Sequence, residues 1–286
     1  MAAIAVLAVA LLAAAALTHG AQGRLGNAGV GEGAFASRAL GMRMHFAVSL
    51  PPGYETGGRY PVVYFLHGLP ASPSAFRDIG FVRRSLDQLA RGAIVIAPQA
   101  ARDGDSDPEY IDWGEGRNWE TALASELPAY VDRHFRTIAN RRGRALVGIS
   151  AGGYGAMLIG LHHLGVFSVI ESWSGYTTPT DPDGTRTLDL GSPAANARAS
   201  AHALVRTLQA STAPRPAFLG FYVGSDDVRF SADNLRFDRE LRAARVPHVF
   251  RLYPGGHTQA LWSAHAVEWL DRGLAQLAPA LPSASA

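Results

Sequence analysis

The chain has no cysteine among its 286 residues. Disulfides, a thiolate nucleophile and cysteine-ligated zinc are therefore excluded. It has no lysine either, since all 26 basic residues are arginine. That removes Schiff-base catalysis and the P-loop, both of which need the lysine amine. Charge is sparse and nearly balanced, at 17% of residues and a formal net charge of +2. Only Arg141-Arg142-Gly143-Arg144 gathers arginines. A solvated loop before a strand accounts for that cluster, so no nucleic-acid partner is expected. With 48% hydrophobic residues the chain can build one large core. A core of that size also makes disulfides dispensable in an exported protein.

One long apolar run is present, Ala2 to Leu17. It is short for a membrane span and slightly long for the core of a signal peptide. Residues 1–21 read as an export signal, with an uncleaved N-terminal anchor as the alternative and the only expected membrane contact. Residues 22–36 are Gly-rich and polar and read as a flexible linker. A single α/β domain is expected over 37–279, with a disordered tail at 280–286.

Within that domain, Met42–Leu50 alternates as a half-buried strand does. Tyr60–Leu66 and Ala93–Pro98 are continuous apolar runs, as central parallel strands need when both faces are covered. Further strands are expected at Ala145–Ile149, Val166–Trp173, Ala217–Gly224 and Val246–Tyr253. Helices are expected at Phe81–Ala90, Asn118–Phe135, after Ser150, at Ser231–Arg245 and at the C-terminal end. Pro128 predicts a kink or restart inside the second of these. Residues 174–215 read as an excursion over the sheet with one helical stretch, Pro193–Gln209. Alternating strands and helices predict a mostly parallel sheet with helices on both faces.

The chemistry centres on Gly148-Ile149-Ser150-Ala151-Gly152. It fits Gly-x-Ser-x-Gly, a sharp strand-to-helix turn with the serine at its tip and glycines where side chains would collide. In a chain with 31 Gly the pattern alone is weak; an ordinary Gly-Ser turn gives the same letters. Its surroundings strengthen it. In such sheets, ligands bind at the carboxyl ends of the strands. Four predicted strands end in chemically loaded residues: His67-Gly68-Leu69, Ser150, Asp226-Asp227 and His257. The order Ser, Asp, His is that of α/β-hydrolases. Ser150 is then the nucleophile, His257 the base and acid, and Asp227 the group that orients the imidazole. Asp226 is the alternative acid. The backbone N–H groups of Leu69 and Ala151 are the expected oxyanion donors.

Other candidates get plainer readings. His67 supports the oxyanion turn. His162-His163 is surface or packing on the helix behind Ser150. His248 and His265 lie within regular elements. None pairs at metal-ligand spacing, so neither a metal nor a cofactor is expected. Asp103, Asp105, Asp107 and Glu109 alternate, but the EF-hand glycine and glutamate positions hold Pro108 and Gly114, so a solvated loop is favoured over calcium. Trp113, Trp173, Tyr176 and Trp262 are even between pocket walls and core.

Five segments carry a family resemblance: Asn118–Pro128, Gly148–Met157, Ser172–Tyr176, Gly224–Asp227 and Gly255–Trp262. Together they resemble the "Putative esterase" family, which includes esterase D, feruloyl and enterochelin esterases and cell-wall mycolyltransferases. The resemblance implies an α/β-hydrolase fold with Ser150, Asp227 and His257 as triad, and a small-molecule, glycan or lipid acyl ester as substrate. Trp119-Glu120-Thr121 and Ser172-Trp173-Ser174-Gly175 are most similar to the mycolyltransferases, yet those use Glu where this chain offers Asp. A serine esterase is the leading expectation and an acyltransferase to a sugar or other alcohol the second. A catalytically silent binding protein on the same fold is the third.

Overall fold

The computed structural model describes residues 30–281 except 56–57, 71–73, 103–109, 182–183 and 213–215. The apolar run at 2–17 and the acidic alternation at 103–109 lie outside the described residues. Among the described residues, no helix is long and apolar enough to cross a membrane.

Among the described residues, eight strands form one sheet. They are β1 (Val30–Ser37), β2 (Met42–Ser49), β3 (Val62–Leu66), β4 (Ile94–Pro98), β5 (Arg144–Ile149), β6 (Val169–Trp173), β7 (Phe218–Gly224) and β8 (Val249–Tyr253). Their spatial order is β1-β2-β4-β3-β5-β6-β7-β8. The first two strands pair antiparallel, β2 runs antiparallel to β4, and every later pairing is parallel. This is the α/β-hydrolase arrangement. All residues of β3 and β4 are buried, as expected for parallel strands covered on both faces.

The helices are α1 (Gly80–Leu86), α2, α3 (Ala151–His162), α4 (Pro193–Arg198), α5 (Ala201–Thr212), α6 (Ser231–Ala243) and α7 (Gln259–Leu274). α2 runs from Trp119–Thr121 through a π-helical turn, Ala122–Glu126, into Leu127–His134. The sequence predicts a break at Pro128; the wide turn takes its place. Leu127 N–H reaches back to Ala122 O, so the ladder has already shifted register where Pro128 has no N–H to give.

Alternation along the strands divides the core. Val63, Phe65, Val147 and Trp173 face a cluster with Phe81, Trp269 and Leu270, under α1 and α7. Tyr64, Leu66 and Leu146 face Trp119, Leu127 and Tyr154 on the opposite side, under α2 and α3. Both faces are therefore covered. The helical stretch expected at Pro193–Gln209 is two helices, α4 and α5, broken at Ala199-Ser200.

The boundaries need two corrections. β1 begins inside the stretch 22–36 that reads as a linker. Its glycines hide the strand pattern, and one of them is required: a Cβ on Gly33 would lie 2.3 Å from the Phe46 ring. The hairpin is tied to α2 by Glu126, which accepts from Ser37 Oγ and from the N–H groups of Arg38 and Ala39. At the other end, Leu281 falls in the expected tail but exchanges two backbone hydrogen bonds with Arg59.

One core residue is out of character. Glu171 sits in the middle of β6 with no solvent exposure. Trp173 Nε1–H donates to its Oε2 at 3.0 Å, while Oε1 has no partner among the described residues. Burial pushes the carboxyl up to about 8, against the opposing effects of Trp173 and Arg272. The folded chain thus keeps this proton where the unfolded chain, near 4.5, loses it. Stability falls as pH rises across that interval. Glu171→Gln keeps an acceptor for Trp173 and removes the ionisation. Thermal melts should show it roughly 5 °C more stable than wild type at pH 8, with the gain gone at pH 4.

Candidate active site

At the end of β5 the chain turns within one residue into α3. Ser150 occupies the tip with φ 53° and ψ −122°, a backbone region that side-chain-bearing residues seldom adopt. The flanking glycines are there for clearance. A Cβ on Gly148 would lie 2.0 Å from Gly152 O, and one on Gly152 would lie 2.1 Å from Leu66 O. The serine N–H is held by Trp173 O on the neighbouring strand at 3.0 Å.

Two other strand ends bring the partners. β7 ends at Gly224, and the turn that follows buries Asp227 to 2% exposure. The loop after β8 carries His257. His257 Nδ1–H donates to Asp227 Oδ2 at 2.7 Å, and Ser150 Oγ–H donates to His257 Nε2 at 2.8 Å. Ser150, Asp227 and His257 are thus brought together as the sequence predicts. The other oxygen of Asp227 accepts from Arg229 N–H at 3.3 Å. Asp226 points elsewhere: its Oδ1 accepts from Ser225 Oγ at the exposed surface. The imidazole is held between two aromatic rings, with Phe230 at 5.3 Å and Trp262 edge-on at 5.1 Å.

The turn after β3 lies against the serine. A Cβ on Gly68 would be 2.9 Å from Ser150 Cβ. His67, beside it, is buried, and burial lowers its pKa. A neutral ring whose Nδ1–H donates to Gly68 O at 2.8 Å pins that carbonyl. Tyr110 Oη–H donates to His67 O at 2.6 Å, so the loop after β4 braces the same turn.

The four aromatics separate. Trp173 is in the core with no exposure, and Tyr176, 4% exposed, stacks on Tyr154. Trp262 touches His257, and Trp113, 36% exposed, walls a cavity beyond α3. His265 stacks on Tyr253 of β8. His248 falls just before β8 rather than inside it and bonds Asp238 at 3.0 Å.

Two histidine clusters have carboxylate partners that the sequence did not disclose. His162 and His163 are not merely surface: both bond the buried Glu120, at 2.9 and 2.8 Å. In the excursion, His202 lies between Asp233 and Glu240. Burial lowers the His202 pKa, but the two carboxylates outweigh it and leave it raised. This bonding ties α5 to α6, close to the loop that holds Asp227. No short-range pattern could have disclosed either cluster, because the partners are 31 to 43 residues apart. Among the described residues, no group of His, Asp or Glu could hold a metal ion.

A family model described as "Putative esterase" matches residues 37–270. Esterase Rv1288 of Mycobacterium tuberculosis is 28% identical over 250 residues, covering 78% of this chain and 54% of its own. The MPT51 antigen of Mycobacterium leprae is 29% identical over 184 residues, 62% of this chain and 55% of its own. The chain thus spans about half the length of the curated relatives it matches. Among solved structures, a ferulic acid esterase superposes with a TM-score of 0.72 at 25% identity, covering 87% of this chain and 98% of that one.

The clearances at the turn set a stringent test. Gly152→Ala forces a methyl into a backbone carbonyl that cannot swing aside. The variant should be insoluble, or melt at least ~10 °C below wild type by circular dichroism.

Proposed function

The chain belongs to the "Putative esterase" family, and on that premise we propose that it hydrolyses a carboxylic ester through a Ser-His-Asp triad and an acyl-enzyme. The observation that carries this reading is the unbroken line Asp227–His257–Ser150, with links of 2.7 and 2.8 Å. Ser150 Oγ attacks the ester carbonyl while its proton passes to His257 Nε2. Asp227 holds the tautomer that leaves Nε2 free to accept, and it stabilises the imidazolium that forms. His257 then protonates the departing alcohol. Water, deprotonated by the same imidazole, cleaves the acyl-enzyme.

The developing oxyanion falls to the N–H groups of Ala151 and Leu69. Ala151 is the first residue of α3, where the helix end carries positive potential. For Leu69 the support comes from His67. A trans peptide sends its C=O and N–H in opposite directions, so holding Gly68 O on the His67 ring aims the Leu69 N–H the other way. His67 is on this reading a positioning residue. The likeness to a ferulic acid esterase supports a small-molecule acyl ester as substrate. Transfer of the acyl group to a sugar or other alcohol shares the first half-reaction, and only the acceptor differs. Export through the run at 2–17 belongs to the same proposal.

Purified protein should hydrolyse short p-nitrophenyl esters and be labelled by a fluorophosphonate at Ser150; folded protein that takes no label would sink the reading. Ser150→Ala should lower kcat by at least ~10⁴-fold, and Asp227→Asn by a comparable factor through the wrong tautomer. Asp226→Asn should stay near wild type, and equal losses at the two aspartates would reject the assignment. His67→Ala should cut kcat ~10–100-fold with little change in KM, whereas His67→Asn, which retains an N–H donor, should recover part of it. Product analysis with a sugar acceptor present separates hydrolysis from transfer.

A further inference from the structure

Behind the catalytic line, a cavity of about 180 Å³ opens beside α3. Ile111, Trp113, Leu158 and Leu190 wall it, Glu120 lies at its floor and Arg198 at its rim. Leu158 is two helical turns beyond Ser150, roughly 12 Å along the axis. On the turn between them, Tyr154 stacks on Tyr176 and donates to Ala199 O at 2.8 Å, which partitions the cavity from the serine.

The floor is an incompletely satisfied carboxylate. The Glu120 side chain is 3% exposed. Its Oε1 is crowded with donors: His162 at 2.9 Å, His163 at 2.8 Å and Arg198 at 3.1 Å. No described residue donates to Oε2. Burial would raise this pKa, but the two histidines and Arg198 hold it at about 2, so the group is anionic. Glu120 lines the cavity, and a carboxylate oxygen with no protein donor is free to accept one from a ligand.

We propose that this cavity binds a phenol, with the ring against the apolar walls and the hydroxyl donating to Glu120 Oε2. Size fits, since an engineered cavity of about 150 Å³ takes up benzene. Charge fits too: Arg198 already neutralises Glu120, so a neutral hydroxyl is preferred to a cation. A sugar fits poorly, because its many hydroxyls need partners. The remaining carboxylate at the wall, Asp112, already accepts from Thr121 N–H at 3.0 Å and Thr121 Oγ at 2.6 Å. The site is separate from the catalytic line, and its ligand need not be a substrate.

Calorimetric titration of the Ser150→Ala protein tests it with three probes: p-cresol, toluene and methyl β-D-glucopyranoside. p-Cresol should bind. Toluene should bind at least ~10-fold more weakly, because it leaves Oε2 unpaired, and the glucoside should not bind. Glu120→Gln should weaken p-cresol. Should that variant fail to fold, Ala195→Phe fills the cavity from its rim. It should abolish p-cresol binding and, made in the wild-type chain, leave p-nitrophenyl acetate hydrolysis unchanged. The proposal is overturned if p-cresol gives no binding at millimolar concentration, or if toluene matches it or the glucoside exceeds it. Binding that survives Ala195→Phe overturns it, as does binding lost when Ser150 of the wild-type protein carries a fluorophosphonate, which would locate the ligand in the catalytic cleft.

Discussion

The backbone contact between β5 and α3 is the constraint on which the rest of the site depends. Two carbonyls, those of Gly152 and Leu66, come so close to neighbouring Cα atoms that no side chain fits. That closeness forces the turn into a single residue and leaves Ser150 in its strained conformation. It also draws the turn after β3 against the serine, so two separate strand ends meet at one point. Strain of this kind persists only where the surroundings over-determine it. Here the Trp173 carbonyl, the packed glycines and the buried face of α3 all do so.

Much of this was legible in the sequence because the governing forces are local. β3, β4 and β7 announce themselves as continuous apolar runs, since parallel strands are buried on both faces. The strand-end residues then follow from chain order, and Ser150, Asp227 and His257 meet as that order suggests. Asp227 could be preferred over Asp226 only by its spacing from Gly224. What separates the two in space is burial, a property of the fold.

Where sequence reading fell short, the cause was a partner far away along the chain. β1 looks like linker because Gly33 answers to the Phe46 ring rather than to strand propensity. Trp173 and Tyr176 could not be sorted from pocket aromatics until the sheet faces were known. The histidines at 162 and 163 read only as surface or packing, and His202 carried no reading, because the carboxylates they bond come from other elements. Pro128 looked like a break because the π-helical turn that absorbs it has no sequence signature of its own.

The described chain starts and finishes on the same side of the sheet. Val30 opposes Ser49 where β2 lies beside the beginning of β4, and Leu281 is bonded to Arg59 just ahead of β3. Both points are at the amino ends of the parallel strands, whereas the serine, the acid and the imidazole gather at the carboxyl ends. The described fold is therefore entered and left from the side opposite the serine. Neither Val30 nor Leu281 stands in the path of a molecule reaching the serine.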